Sequence, residues 1–254
     1  MAKKMTKSHK KKLTSLIITL LLVAVLLTCY LLRDKIPFLR DLFGENDPPY
    51  QHITLDEIPD YSGDVYVVIN SNEPFFTEDE IKTTSFEFYS ELDSLGRCGY
   101  AMACISSDIQ PAPGEDRGSI SHVYPSGWEN ERYDTDLVDG GYIYNRSHLI
   151  GWQLTAENDN EKNLITGTRY FNVEGMLPFE NLVDDYLEEY PTNHVMYRVT
   201  PIYDGNNLVA NGVLIEAYSV EDNGEEVKFC VYIYNVQPGI TIDYATGHNW
   251  LTPN

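Results

Sequence analysis

The stretch Gly141-Tyr-Ile-Tyr-Asn-Arg-Ser-His148 opens on a short β pattern, residues 141–144, and ends on a histidine. Behind it comes Thr155-Ala-Glu-Asn-Asp-Asn-Glu-Lys-Asn163, a polar loop dense in carboxamide and carboxylate groups. Such oxygens suit hard cations such as Mg2+. An imidazole with an ordinary pKa near 6.5 suits removal of a proton from water at neutral pH. One base beside an oxygen-ligated hard cation is what phosphodiester hydrolysis requires. On residue chemistry alone a structural histidine after a strand is the commoner arrangement, so both readings stand open at this point.

Working outward, residues 168–175 suggest a helical turn, and Pro178 fits the first position of a helix running to about residue 190. Three strands follow, at 194–203, 208–219 and 227–236. The short polar turns Asp204-Gly-Asn-Asn207 and Glu221-Asp-Asn-Gly-Glu225 make them antiparallel neighbours. Upstream, residues 64–70 and 99–105 read as strands, and residues 78–92 as a helix with Thr77 as its N-cap. Residues 108–118 form a loop rich in Pro and Gly. No repeat is present. The order predicts an α+β domain around a central, mainly antiparallel sheet.

Charge is placed unevenly. Six of the 18 basic residues lie in the first 12 positions, and no acidic residue precedes Asp34. The chain beyond residue 32 therefore sets 12 basic residues against all 39 acidic ones. That balance argues against broad electrostatic attraction to nucleic acid and leaves only a local patch, with Arg117, Arg132, Lys162 and Arg169 as candidates. Cys98 and Cys104, if on one strand, sit about 20 Å apart and cannot bridge. With Cys230 they read as buried free thiols.

Residues 13–32, LTSLIITLLLVAVLLTCYLL, carry no charge and are long enough as a helix to cross the ~30 Å hydrocarbon core. The lysines before them put the tail inside and the domain outside. A signal anchor is favoured over cleavage as a signal peptide and over lipid attachment at Cys29. The expected organisation is a basic cytoplasmic tail (1–12), a transmembrane anchor (13–32), a linker (33–57) and a globular domain (58–254).

Several functions lack their motifs. There is no P-loop, no G-x-S-x-G elbow, and no His or Cys spacing for zinc.

The segments Asn145-Arg-Ser-His-Leu-Ile-Gly151, Lys162-Asn-Leu-Ile-Thr166 and Arg169-Tyr-Phe-Asn172 resemble the DNA/RNA non-specific endonucleases. Those enzymes have a ββα-metal (His-Me finger) core, and the resemblance points to the branch with streptococcal DNA-entry nucleases and secreted DNases. That family carries D-R-G-H, then two asparagines nine apart, then a glutamate eight further on. Here Asn163 and Asn172 are nine apart and Glu180 stands eight beyond. Arg117-Gly-Ser and Pro125-Ser-Gly-Trp128 also look like that branch, and the likeness spans residues 58–247. Two positions depart: Asn145 replaces the aspartate and Ser147 the glycine. Neither removes the histidine or the asparagine.

The resemblance implies a role for each residue. His148 is the general base on the attacking water, expected as an exposed imidazole. Asn172 binds Mg2+ through its side-chain oxygen, and Mn2+ can stand in. Glu180 holds a water of that shell or orients a partner. Arg117 clamps phosphate, Asn163 braces the loop or touches phosphate, and Arg169 contacts phosphate. Arg146, by alternation, is expected to point elsewhere into a structural ion pair. Trp128, Trp152 and Trp250 are read as core or rim, with base stacking as the other use. The substrates implied are DNA and RNA, cut without base readout to 5′-phosphates, outside the membrane, with no obligate protein partner. The alternative from another class is a non-catalytic cell-surface module whose Tyr-rich groove binds glycan or protein.

Overall fold

The computed structural model describes residues 53–253, and before them only Thr19 and Thr28. The expected tail, transmembrane anchor and most of the linker lie outside the described residues. Among those described, no helix is long and apolar enough to cross a membrane.

The main sheet has six strands: β1 (Tyr66–Val68), β2 (Phe86–Tyr89), β3 (Ala101–Ile105), β6 (Val195–Ile202), β7 (Gly212–Ser219) and β8 (Lys228–Tyr234). Their order is β1-β8-β7-β6-β3-β2, with every pairing antiparallel. Between β3 and β6 the chain forms β4 (Tyr144–His148), α1 (Trp152–Thr155), β5 (Leu164–Thr168), a π-helical turn (Phe171–Met176) and α2 (Leu177–Glu189). A small ribbon, β9 (Ile240–Ile242) with β10 (Asn249–Leu251), closes the chain.

Strand alternation explains why β3, β6, β7 and β8 bury almost every residue. Ala101, Ala103, Ile105, Val199, Ile215 and Val231 face one side, where Ile165, Phe171, Met176, Val183 and Leu187 cover them. Leu214, Cys230 and Tyr232 face the other, under Ile53, Ile58 and Ile69. Each buried Val, Leu, Ile, Phe or Met among them contributes roughly 1.5–3 kcal/mol. The domain therefore begins before residue 58: Ile53 is core, and Thr54 and Glu57 close a capping box.

The three C-terminal strands and α2 lie close to where sequence places them, and the two upstream strands shorten to β1 and β3. The helix expected over 78–92 is absent. Its start signal is real: Thr77 N–H and Oγ1 both donate to Glu80 Oε2, at 2.8 and 2.9 Å. The turn does not propagate because the other Glu80 oxygen pairs with buried Arg198 at 2.9 Å. Beyond it, the alternating Phe86-Glu-Phe-Tyr89 pairs with β3 from Phe86↔Cys104 to Tyr89↔Ala101. Cys98, Cys104 and Cys230 are buried free thiols.

The strand expected at 141–144 instead runs through the polar residues as β4, and its partner β5 carries no strand expectation. The two pair antiparallel with Tyr144↔Thr168 and His148↔Leu164. A lone two-stranded ribbon is marginal by itself. Asparagine carboxamides satisfy its free edges. Asn130 accepts from Tyr144 N–H and donates to Tyr144 C=O. Asn235 accepts from Thr168 N–H and donates to Thr166 C=O. The ribbon and α2 thus form a ββα unit fixed on one face of the sheet.

Candidate active site

His148 is the last residue of β4 and is only 6% exposed, not an open imidazole. Its Nε2 lies 2.8 Å from Asn158 C=O. A carbonyl only accepts, so Nε2 carries the proton and Nδ1 carries the lone pair. Arg117 Nη2 lies 3.1 Å from that Nδ1 and donates to it. Burial first, and then the charge of Arg117, push the imidazole down to about 4, against the Asn158 carbonyl. At neutral pH His148 is therefore an uncharged base.

The cleft around it has a volume of about 650 Å³. Arg117, His148, Glu180, Asn172 and Arg169 all line it. Asn172 comes from the π-helical turn, half-buried, one position after Phe171, whose N–H donates to Thr168 Oγ1 at 2.9 Å. The extra residue in such a turn pushes a side chain outward, and these turns recur at functional sites. Glu180 sits in the first turn of α2, buried, and burial pushes its carboxyl up to about 7 while Arg117 opposes the rise. Gly151 makes room for it: a Cβ there would come within 2.9 Å of the Glu180 carboxyl carbon.

Asn163 takes the bracing one of its two expected places, and Arg146 stands elsewhere than expected. Asn163 is fully buried, accepting from Ile150 N–H and donating to Ile150 C=O, both at 2.9 Å. Its side chain braces the chain just past the histidine and does not reach the cleft. Arg146 does line the cleft, because residues 146 and 148 share one strand face at period two. Its guanidinium donates to the carbonyls of Ser121 and Val123 and lies 4.2 Å from the Trp128 ring centre, instead of forming an ion pair. Arg169 is held by Asp139 at 2.8 Å. Lys162 is engaged by Glu91 and Arg132 lies over Tyr142, so the basic lining is Arg117, Arg146 and Arg169. Trp128 and Trp152 line the cleft; Trp250 does not.

Sequence reasoning missed Asn158, whose part is played by a backbone carbonyl and leaves no side-chain signal. It also missed Tyr144 and Asn145 as cleft-lining residues. Ser147, at the glycine position of the resemblance, turns into the core. Its Oγ is buried there without a hydrogen-bond partner, against Gly167.

The oxygen donors of the cleft fit a hard cation. Among the described residues no three His, Cys, Asp or Glu side chains converge. Asn172 offers a carboxamide oxygen, and the buried Glu180 carboxylate would be relieved by a positive charge beside it. Few protein ligands with most of the shell left to water and phosphate is the Mg2+ pattern.

Residues 77–221 match the family model described as DNA/RNA non-specific endonuclease. A curated deoxyribonuclease of Streptococcus dysgalactiae subsp. equisimilis is 32% identical over 67% of this chain. The chain spans 62% of that relative's length. The crystal structure of NucA from Streptococcus agalactiae with magnesium bound aligns with a TM-score of 0.62 at 26% identity, covering 73% of this chain and 86% of that one. The structure of Sda1 nuclease with a bound zinc ion aligns with a TM-score of 0.57 at 30% identity, covering 66% and 82%.

Proposed function

This chain belongs to the DNA/RNA non-specific endonuclease family, and from that we propose that it is an extracytoplasmic, Mg2+-dependent endonuclease cutting DNA and RNA without sequence specificity. The observation that carries the reading is the His148 tautomer. Nε2–H is committed to Asn158 C=O, and the Nδ1 lone pair faces a cleft with Arg117, Asn172 and Glu180.

His148 Nδ1 takes a proton from water as the oxygen attacks phosphorus in line. The P–O3′ bond breaks, the leaving O3′ takes a proton from solvent water to become a 3′-hydroxyl opposite the new 5′-phosphate, and His148 then returns its own proton to solvent. Arg117 turns from Nδ1 to the phosphate oxygens, where its charge opposes the negative charge gathering on them. Asn172, with Glu180 behind it, would hold the cation, which when bound neutralises phosphate charge and eases departure of the leaving oxygen. One solved relative holds magnesium and another zinc, and the carboxamide and carboxylate oxygens here favour Mg2+. Anchoring through residues 13–32 rests on their uncharged, apolar composition.

The test is digestion of plasmid DNA and of RNA by the full chain, with Mg2+ and with EDTA, for wild type and His148→Ala. Activity lost on chelation and lowered roughly 10³-fold in the variant is expected. Because His148 is buried, the thermal midpoint of the variant is measured alongside. A folded His148→Ala protein that digests DNA at the wild-type rate sinks the mechanism.

A further inference from the structure

We propose that Tyr124, Arg146 and Trp128 form a stacking subsite for an unpaired nucleobase next to the scissile phosphate, which makes single strands, or bases turned out of a duplex, the preferred occupant. The proposal rests on the nuclease reading above and adds a preference among its substrates.

The three side chains build one continuous stack outward from the core. Tyr144, fixed by its hydroxyl on Gly247 C=O at 2.8 Å, backs Trp128 at a ring separation of 6.4 Å. Arg146 lies over Trp128, with its guanidinium carbon 4.2 Å from the ring centre. Tyr124 lies 5.3 Å from the same carbon. Tyr124 is 71% exposed, more than any other large hydrophobic residue described. Tyr124 lines a neighbouring pocket of about 240 Å³, and Arg146, which lines the cleft with Trp128, joins the two rings, so a flat group laid on Tyr124 continues the stack that leads into the cleft.

The charge of Arg146 points the same way. In this acidic chain, Arg169 is matched by Asp139, Lys162 by Glu91, Lys228 by Glu73, and Arg198 by Glu80 and Glu216. Among the described residues Arg146 has no carboxylate partner and is oriented by the Ser121 and Val123 carbonyls. Its positive charge stays available to a π face and a phosphate together, the pair of groups one nucleotide presents.

Position supplies the rest. Arg146 precedes His148 by two residues on β4, about 6.6 Å along the strand and on the same face. The stack is therefore adjacent to the base that activates the attacking water. In a duplex, both faces of each base are already covered by its neighbours. Only an unpaired or everted base can rest on Tyr124.

Binding is measured with the full chain in EDTA, so that no turnover occurs. Fluorescence anisotropy follows a labelled oligothymidylate and a labelled hairpin duplex of equal length. Tyr124→Ala should weaken the single strand about tenfold and the duplex less than about twofold, while Tyr124→Phe keeps the wild-type affinities. Equal losses on the two substrates overturn the proposal. So does a Phe variant as weak as the Ala variant, or a wild type with no measurable affinity for the single strand. Plasmid digestion with Mg2+ is scored separately: its absence alongside Tyr124-dependent binding removes the nuclease reading and leaves the subsite. Cleavage without Tyr124-dependent binding does the reverse.

Discussion

Arg117 Nη2 lies 3.1 Å from His148 Nδ1, so the free lone pair of the imidazole is the one a guanidinium covers. The contact holds the ring in place, keeps it neutral, and must part before water can reach it. Arg117 is thus tied to the pKa of His148 and, on the proposed mechanism, to the phosphate as well.

Replacing it should show both ties. Arg117→Ala should lower kcat/KM about 10²-fold, the usual cost of losing one donor aimed at developing charge. The arginine charge disfavours the imidazolium, so its loss raises the His148 pKa from about 4. Catalysis needs neutral His148, hence the acid limb of kcat/KM should move upward in pH. A profile of the variant parallel to wild type at every pH would separate Arg117 from the base.

Stability of the cation-free protein should carry two opposed pH signatures. His148 falls to about 4 on folding, so the unfolded chain binds the extra proton between about pH 4 and 6.5, and stability drains as pH falls through that window. Glu180 rises to about 7, so the folded chain holds the extra proton between about 4.5 and 7, and stability drains as pH rises through it. Urea titrations at several pH values should find the acid-side loss reduced in His148→Ala and the neutral-side loss reduced in Glu180→Gln. Identical pH slopes for all three proteins would contradict these environments.

Asn163→Ala should destabilise by about 2–4 kcal/mol, because Ile150 N–H and C=O are then buried without partners. Activity per folded molecule should fall through kcat as β4 and its histidine lose their brace. A loss confined to KM would instead restore substrate contact to Asn163.

Ser147→Ala removes a buried hydroxyl that has no hydrogen-bond partner. The expected gain is about 1 kcal/mol, read as a higher thermal midpoint with unchanged nuclease rate. A destabilised variant would mean that the hydroxyl is satisfied in solution.

Asp139→Asn should free Arg169, whose charge Asp139 takes up at 2.8 Å. KM for DNA should fall severalfold at low salt, and its salt dependence should steepen. An Asp139→Asn enzyme with wild-type KM across the salt range would place Arg169 outside the substrate path.

Much of the site was legible because its residues are spaced along one short, continuous piece of chain. His148, Asn172 and Glu180 sit on β4, the π-helical turn and α2, and the steps between them survive as sequence intervals. Arg146 was misplaced because alternation was taken to turn it away from His148, which stands two residues on. Once residues 144–148 are one strand, period two returns Arg146 to the face of His148. The helix expected at 78–92 failed for a different reason. Thr77 and Glu80 do pair, through the Thr77 N–H and hydroxyl, but a buried arginine more than a hundred residues away claims the other oxygen of that glutamate. No local signal records that.

Sequence by itself determined the α+β class, the run of antiparallel strands from residue 194 onward, and the identity of three groups that line the cleft, His148, Asn172 and Glu180. These rest on periodicity and on intervals within one stretch of chain. Only the tertiary structure decided the state of those groups. The Asn158 carbonyl sets which nitrogen of His148 holds the proton, burial sets the acidities of His148 and Glu180, and packing on Trp128 aims Arg146. Each depends on what surrounds an atom in space, and in this fold those surroundings are assembled from distant segments.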